Sequence, residues 1–66
     1  GQVSLRVYDI AGRMVRELVN ESLPAAAHSV VWDGTETGGR RVASGVYYYR
    51  VVTDEKIATH KMTLVK

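Results

Sequence analysis

The sequence predicts an all-β domain, a small antiparallel β-sandwich of about five strands. Three observations support this fold class. Residues 3–8 alternate apolar and other side chains, residues 46–53 are rich in aromatic and β-branched side chains, and short turn sequences containing Gly or Asp separate the apolar segments. The chain has 66 residues, which is enough for one domain, and we expect that domain to span residues 1–66.

The first two strands are predicted to form a hairpin. The alternation over residues 3–8 is typical of a half-buried strand. Residues 9–12 predict a turn, because an Asp side chain can accept hydrogen bonds from its own backbone and Gly12 can supply a positive φ. The second strand follows over residues 13–19, and helix is the alternative there, since several apolar residues also have helical spacing. We favour the strand, because the first strand needs an edge partner and the connecting turn is short.

The middle of the chain predicts a loop, a crossing segment and a third strand. Residues 20–22 are expected to form the loop. Pro24 disfavours helix at the residue before it, so residues 23–27 should cross between the sheets in extended form. Residues 28–32 form the third predicted strand. Three of its side chains share one face: His28, Val30 and Trp32.

A long loop and a second hairpin complete the predicted fold. The loop covers residues 33–41, the fourth strand covers residues 46–53, a turn follows at residues 54–55, and the last strand covers residues 56–65. Four residues carry the turn chemistry of this half: Asp33, Gly34, Gly39 and Gly45.

The alternation of side chains also predicts the core. Trp32 is expected to be the central core aromatic rather than a ligand-stacking residue, since aromatic burial contributes strongly to small cores. The predicted core consists of Leu5, Val7, Val30, Trp32, Tyr47, Tyr49 and Val51. A chain this short buries only about 60% of its unfolded surface, and it has no cysteine for a disulfide. We therefore expect marginal stability.

Composition argues against several function classes. The net charge is +2, with nine basic and seven acidic residues, and Arg40-Arg41 is the one adjacent Arg/Lys pair, so the basic stripe of a nucleic-acid-binding protein is missing. No apolar stretch approaches the roughly 20 residues that span a membrane. We expect neither nucleic-acid binding nor membrane insertion.

The candidate chemical groups favour structural roles. The serines do not lie in a nucleophile-elbow pattern, and the oxygen-bearing side chains of residues 33–36 are too sparse for a calcium loop. His28 and His60 lack zinc-ligand spacing. The expectation is therefore no catalytic residue, no metal site and no cofactor.

An ordered series of short motifs runs along almost the whole chain. It comprises Val3-Ser4-Leu5-Arg6-Val7-Tyr8-Asp9, Gly12-Arg13, Leu18-Val19, Leu23-Pro24-Ala25, His28, Val30, Trp32-Asp33-Gly34, Gly39, Val42, Ser44-Gly45-Val46-Tyr47, Tyr49 and Lys61-Met62. Together these motifs resemble the FlgD Ig-like domain family, which includes the C-terminal sorting domains of the type IX (Por) secretion pathway. The sequence departs from the family in lacking its N-terminal strand and in having Ala26 where Gly is common.

The resemblance implies an Ig-like β-sandwich that is a C-terminal domain or fragment of a larger secreted bacterial protein. Such a domain is not an enzyme; it is exported through the periplasm to the cell surface or beyond. The implied partners are proteins: the outer-membrane export or attachment machinery, domains of the parent protein, or another copy of the chain. The candidate recognition surface comprises Lys61, Met62, Thr63, Leu64, Val65, Lys66, Tyr48 and Arg50, together with the loop at residues 33–41.

Two other functions remain open at this point. The chain could be a structural assembly subunit that completes its sheet with a strand from a neighbour. It could also be a carbohydrate-binding or adhesion domain, for which Tyr8 and Tyr48 would have to form an exposed aromatic platform.

Overall fold

The computed structural model describes residues 1–22 and 30–65. This part of the chain contains four β-strands and no helix, in agreement with the predicted all-β class. The strands are β1 (Gln2–Tyr8), β2 (Met14–Ser22), β3 (Gly45–Val52) and β4 (Ile57–Leu64). They form one antiparallel sheet with the order β2-β1-β3-β4, so β2 and β4 lie at its two edges.

The predicted third strand is wrong for residues 30–32, which lie outside every strand. Its first two residues, 28 and 29, lie outside the described residues, as does the predicted crossing segment at residues 23–27. The described strands therefore number four rather than five, and they form one sheet rather than two. Residues 30–42 instead lie over one end of this sheet as an irregular segment.

The second strand is longer than predicted, and the helix alternative for this region is wrong. β2 continues to Ser22, so residues 20–22 belong to the strand and not to a loop. β2 extends to Ser22 because β1 begins at Gln2, and the backbone of Gln2 pairs with that of Ser22. The Gln2 side-chain amide also donates a hydrogen bond to Asn20 Oδ1 at 2.7 Å.

The turn between β1 and β2 is confirmed, together with its predicted chemistry. Asp9 Oδ1 accepts hydrogen bonds from the backbone N–H groups of Ala11 and Arg13, each at 2.9 Å. Gly12 has a φ of 85°, a conformation that glycine adopts without a steric cost. Local side-chain chemistry therefore stabilises the turn that joins the first two strands.

The hairpin between β3 and β4 closes through Thr53. Its backbone N–H donates to the Lys56 carbonyl at 2.9 Å, and its hydroxyl accepts from the N–H groups of Glu55 and Lys56 at 3.3 and 3.2 Å. The pairing of β3 with β4 then runs without a register shift from Val52↔Ile57 to Gly45↔Leu64. This turn fixes which β4 side chains share a face with those of β3.

We call the two sides of the sheet the inner face and the outer face. The inner face carries Leu5, Val7, Tyr47, Tyr49, Val51, Met62 and Leu64, and the outer face carries Arg6, Tyr8, Tyr48, Arg50, Thr59, Lys61 and Thr63. Val7 is fully buried and Tyr47 is 8% exposed, whereas the predicted core residues Leu5, Trp32, Tyr49 and Val51 are half-buried.

Val30 does not lie in the core as predicted, because 44% of its surface is exposed. The assignment assumed a strand of a second sheet at residues 28–32. In the structure Val30 lies outside the strands, at the rim of the inner face. A valine at a rim keeps contact with its neighbours on one side only, so it remains partly open to solvent.

Candidate recognition surface

The predicted recognition surface divides between the two faces of the sheet. Lys61 pairs with Tyr48, and the strand alternation places Thr63 on the same outer face. Met62 pairs with Tyr47, so it lies on the inner face with Leu64. Val65 follows the strand and is 81% exposed, and residue 66 lies outside the described residues. The predicted eight residues therefore form two surfaces rather than one.

On the outer face, the structure brings together a group that we call the outer-face cluster: Tyr8, Tyr48, Arg50, Thr59 and Lys61. Tyr8 and Tyr48 are register partners on β1 and β3, and Thr59 is the partner of Arg50 on β4. The guanidinium carbon of Arg50 lies 5.4 Å from the centre of the Tyr8 ring, a cation–π contact. A depression of about 280 Å³ is lined by Tyr8, Asp9, Ile10, Gly12, Tyr48, Arg50 and Thr59.

The arrangement of Tyr8 is unfavourable for a carbohydrate platform. A sugar ring stacks on an open aromatic face, and Arg50 already lies over the Tyr8 ring. Tyr48 is half-buried next to it. The pair forms a polar, cationic surface rather than two free aromatic planes.

The charges of the outer face are unbalanced. Arg6 Nε donates to Glu17 Oε2 at 2.7 Å, and this hydrogen bond raises the pKa of the Arg6 guanidinium above its ordinary value. Arg50 and Lys61, in contrast, form no ion pair with any described residue. The outer-face cluster therefore presents two cations that neighbouring side chains do not neutralise.

The inner face forms an open apolar groove of about 520 Å³. Its lining is Leu5, Val7, Leu18, Val30, Trp32, Tyr49, Val51, Met62, Thr63 and Leu64. Sequence reasoning missed Leu18, because it lies at a register shift of β2, where the alternation of side chains changes phase. Nothing in the local sequence marks that shift.

Trp32 covers one end of this groove. Its ring packs edge-on against Tyr47, with ring centres 5.2 Å apart and an interplanar angle of 67°. The indole N–H donates to the Thr35 carbonyl at 2.8 Å, and the Tyr47 hydroxyl donates to the Ala43 carbonyl at 2.6 Å. These two hydrogen bonds attach the segment before β3 to the sheet.

The loop at residues 33–41 is held to β2 by polar contacts. The Arg16 guanidinium donates to the Thr35 hydroxyl and, at 3.3 Å, to the Glu36 carbonyl. The Thr37 N–H donates to the Val15 carbonyl at 3.0 Å. Because these contacts involve β2 at its second register shift, the loop and the shift stabilise each other.

Asp33 organises the start of this loop. Its Oδ1 accepts hydrogen bonds from the Thr35 hydroxyl at 2.5 Å and from the Thr35 N–H at 3.1 Å. The hydroxyl contact is the main cause that lowers the pKa of the Asp33 carboxyl below its ordinary value, with a smaller contribution from Arg16 at 4.0 Å. Gly34 and Gly39 have φ values of 79° and 91°, and Gly45 has 148°.

The described residues contain no group of three or more His, Asp or Glu side chains placed to hold a metal ion. His60 lies on the inner face, where its ring stacks on Tyr49 with a centre-to-centre distance of 5.2 Å. Residues 1–22 and 30–65 include no helix long and apolar enough to cross a membrane.

The four-stranded antiparallel sheet is consistent with a small Ig-like domain. A family model described as the FlgD Ig-like domain matches residues 1–56. The chain therefore belongs to the FlgD Ig-like domain family. No curated protein and no solved structure matches it. The matched residues end immediately before β4.

Proposed function

We propose that this chain is a non-enzymatic sorting or attachment module of a secreted bacterial protein, recognised by outer-membrane export machinery. Membership of the FlgD Ig-like domain family supports a binding rather than a catalytic module. The observation that carries the proposal is the outer-face cluster, where Arg50 and Lys61 lie beside Tyr8 and Tyr48 without an acidic partner among the described residues.

The composition of this cluster fits a protein-binding surface. Tyr and Arg are enriched at protein interfaces, because both combine apolar contact area with directed hydrogen bonding. The sheet holds these side chains on adjacent strands, so their spacing is set before a partner arrives. A surface whose geometry is fixed in advance loses less conformational entropy on binding.

Export of a reporter fusion tests the proposal. Reversing both cations, Arg50→Glu with Lys61→Glu, should leave the reporter inside the cell, because the partner then meets two repulsive charges. Arg13→Glu with Lys56→Glu is the matched control, since it makes the same change in net charge at two exposed sites outside both the outer-face cluster and the loop at residues 33–41.

The measurement is the fraction of reporter at the surface and in the medium, together with circular dichroism spectra of both purified variants. Normal export of the cluster variant, with its β spectrum retained, would refute the proposal. An equal loss in both variants would point to net charge and not to the cluster.

A second candidate function is assembly with neighbouring chains. The open apolar groove on the inner face favours it, because half-buried residues such as Leu5, Trp32 and Val51 would gain further burial against a partner. Light scattering of the purified chain distinguishes the two candidates. A mass that rises with concentration supports assembly, and a constant monomer mass over the micromolar range contradicts it.

A further inference from the structure

The two edges of the sheet differ in how well they can accept another strand. β2 contains two register shifts, and its Val15 carbonyl is already occupied by the Thr37 N–H. Bulges of this kind twist an edge and hinder strand addition. β4 pairs with β3 over all eight of its residues without a shift. Its backbone is therefore the regular edge of this sheet.

The two sides of β4 differ in chemistry along this edge. Lys61 faces outward between Thr59 and Thr63, with Ile57 at the start of the same side. The inner side carries three apolar residues and one histidine: Ala58, His60, Met62 and Leu64. β4 contains no acidic residue, and Lys61 forms no ion pair with the described residues. An added strand would meet an outer side that is mostly polar and carries the cation Lys61, and an inner side that is mostly apolar.

We infer that the β4 edge binds an extended segment of another protein in which acidic and apolar residues alternate. Successive side chains of a strand point to opposite faces. The acidic residues of such a segment would lie beside Lys61, and the apolar residues would extend the groove lined by Met62 and Leu64. Backbone hydrogen bonds provide affinity in strand addition, and the alternation of side chains provides specificity.

A second copy of this chain fits the same edge less well. An antiparallel β4–β4 pair brings no carboxylate of that strand to Lys61 in any register, because Ile57–Leu64 contains none. A lysine in an edge strand opposes pairing with strands that leave it unpaired. The same lysine favours a strand that supplies an acid, so it selects the partner by charge.

The inference rests on the proposed recognition function and names the chemistry of its partner. Peptide binding is measured on the isolated chain, whereas sorting is measured by export of a fusion. Failure of one measurement therefore does not imply failure of the other.

Amide hydrogen exchange with a synthetic strand tests the inference. The probe is a blocked peptide of alternating Val and Glu; one control has the same composition in two blocks, and a second alternates Val and Lys. We expect the Val–Glu peptide to slow exchange in β4 and not in β2. Protection centred on β2, or equal binding of the block peptide, would overturn the inference.

Reversing the charge of residue 61 provides a second test. Lys61→Glu should weaken binding of the Val–Glu peptide about tenfold and should create binding of the Val–Lys peptide, because an exposed ion pair is replaced by a repulsion of similar size. Lys56→Glu, in the turn before β4, is the matched control and should change either affinity less than about threefold. If Lys61→Glu loses its β spectrum, Lys61→Gln replaces it, with an expected loss of about threefold. Unchanged affinity in a folded Lys61 variant would refute the role of this lysine.

Discussion

Removing one hydroxyl group from Tyr47 should measurably destabilise the domain. Tyr47 is 8% exposed, and its hydroxyl donates to the Ala43 carbonyl at 2.6 Å. Tyr47→Phe keeps the ring against Trp32 but leaves that carbonyl without its donor. A hydrogen bond of this kind contributes about 0.5–1.5 kcal/mol. Since each kcal/mol shifts the melting temperature of a domain this small by about 4–8 °C, we expect a decrease of about 2–12 °C.

Tyr49→Phe is the matched control. Tyr49 lies on the same strand and the same face, but its hydroxyl has no hydrogen-bond partner among the described residues, and its ring stacks on His60. Thermal unfolding followed by circular dichroism should therefore show a change of less than about 0.5 kcal/mol. Equal effects of the two substitutions would refute the argument that the Ala43 contact fastens the segment before β3.

Three further substitutions test other parts of the fold. Trp32→Leu removes the edge-on contact with Tyr47 and an indole hydrogen bond; it should cost about 2–3 kcal/mol in urea unfolding. Asp33 has a lowered pKa because it accepts from Thr35, so its stabilising contribution is present above the unfolded pKa and is lost as the pH falls through the folded pKa. Urea midpoints measured from pH 5 to pH 2 should therefore decrease less in Asp33→Asn than in the parent. Gly12→Ala, at a φ of 85° with open space around it, should cost about 1 kcal/mol from backbone strain alone, measured by thermal unfolding.

The parts of the fold that the sequence predicts correctly are those that depend on local chemistry. Alternating side chains identify β1, and aromatic and β-branched residues identify β3. Asp9 and Gly12 identify the first turn, since the hydrogen bonds they need are made within five residues. Each of these signals can be read without knowledge of the rest of the molecule.

The errors arise where contacts between distant segments decide the structure. The second register shift of β2 accompanies hydrogen bonds between Val15 or Arg16 and residues 35–37, about twenty positions along the chain, and no local pattern specifies it. Residues 30–32 have the composition of a strand, but Trp32 is positioned by Tyr47 and by the Thr35 carbonyl. Tertiary contacts therefore override a local strand preference in that segment.

The division of the recognition surface was accessible from the sequence in principle. A two-residue loop at residues 54–55 fixes the register of the hairpin, and that register places Lys61 beside Tyr48 on one face and Met62 beside Tyr47 on the other. A single surface made of all the last residues is inconsistent with a β-strand, because successive side chains of a strand point to opposite faces of the sheet. The absence of a described acidic partner for Lys61, in contrast, required the structure, because it depends on the strand order, which places Glu17 of β2 and Lys61 of β4 at opposite edges of the sheet.

Because the described core is small, the binding of a strand at the β4 edge should produce a measurable increase in the melting temperature. With Val7 and Tyr47 as the buried hydrophobic side chains of the described chain, the free energy of unfolding should lie near the lower limit for folded domains, about 5 kcal/mol or less. A partner that binds the folded state alone, at 100 times its dissociation constant, adds about 2.7 kcal/mol. The alternating Val–Glu peptide should therefore raise the melting temperature by about 10–20 °C. The block peptide should leave it unchanged, and an equal increase with both peptides would show that binding does not depend on the alternation that the β4 edge is proposed to recognise.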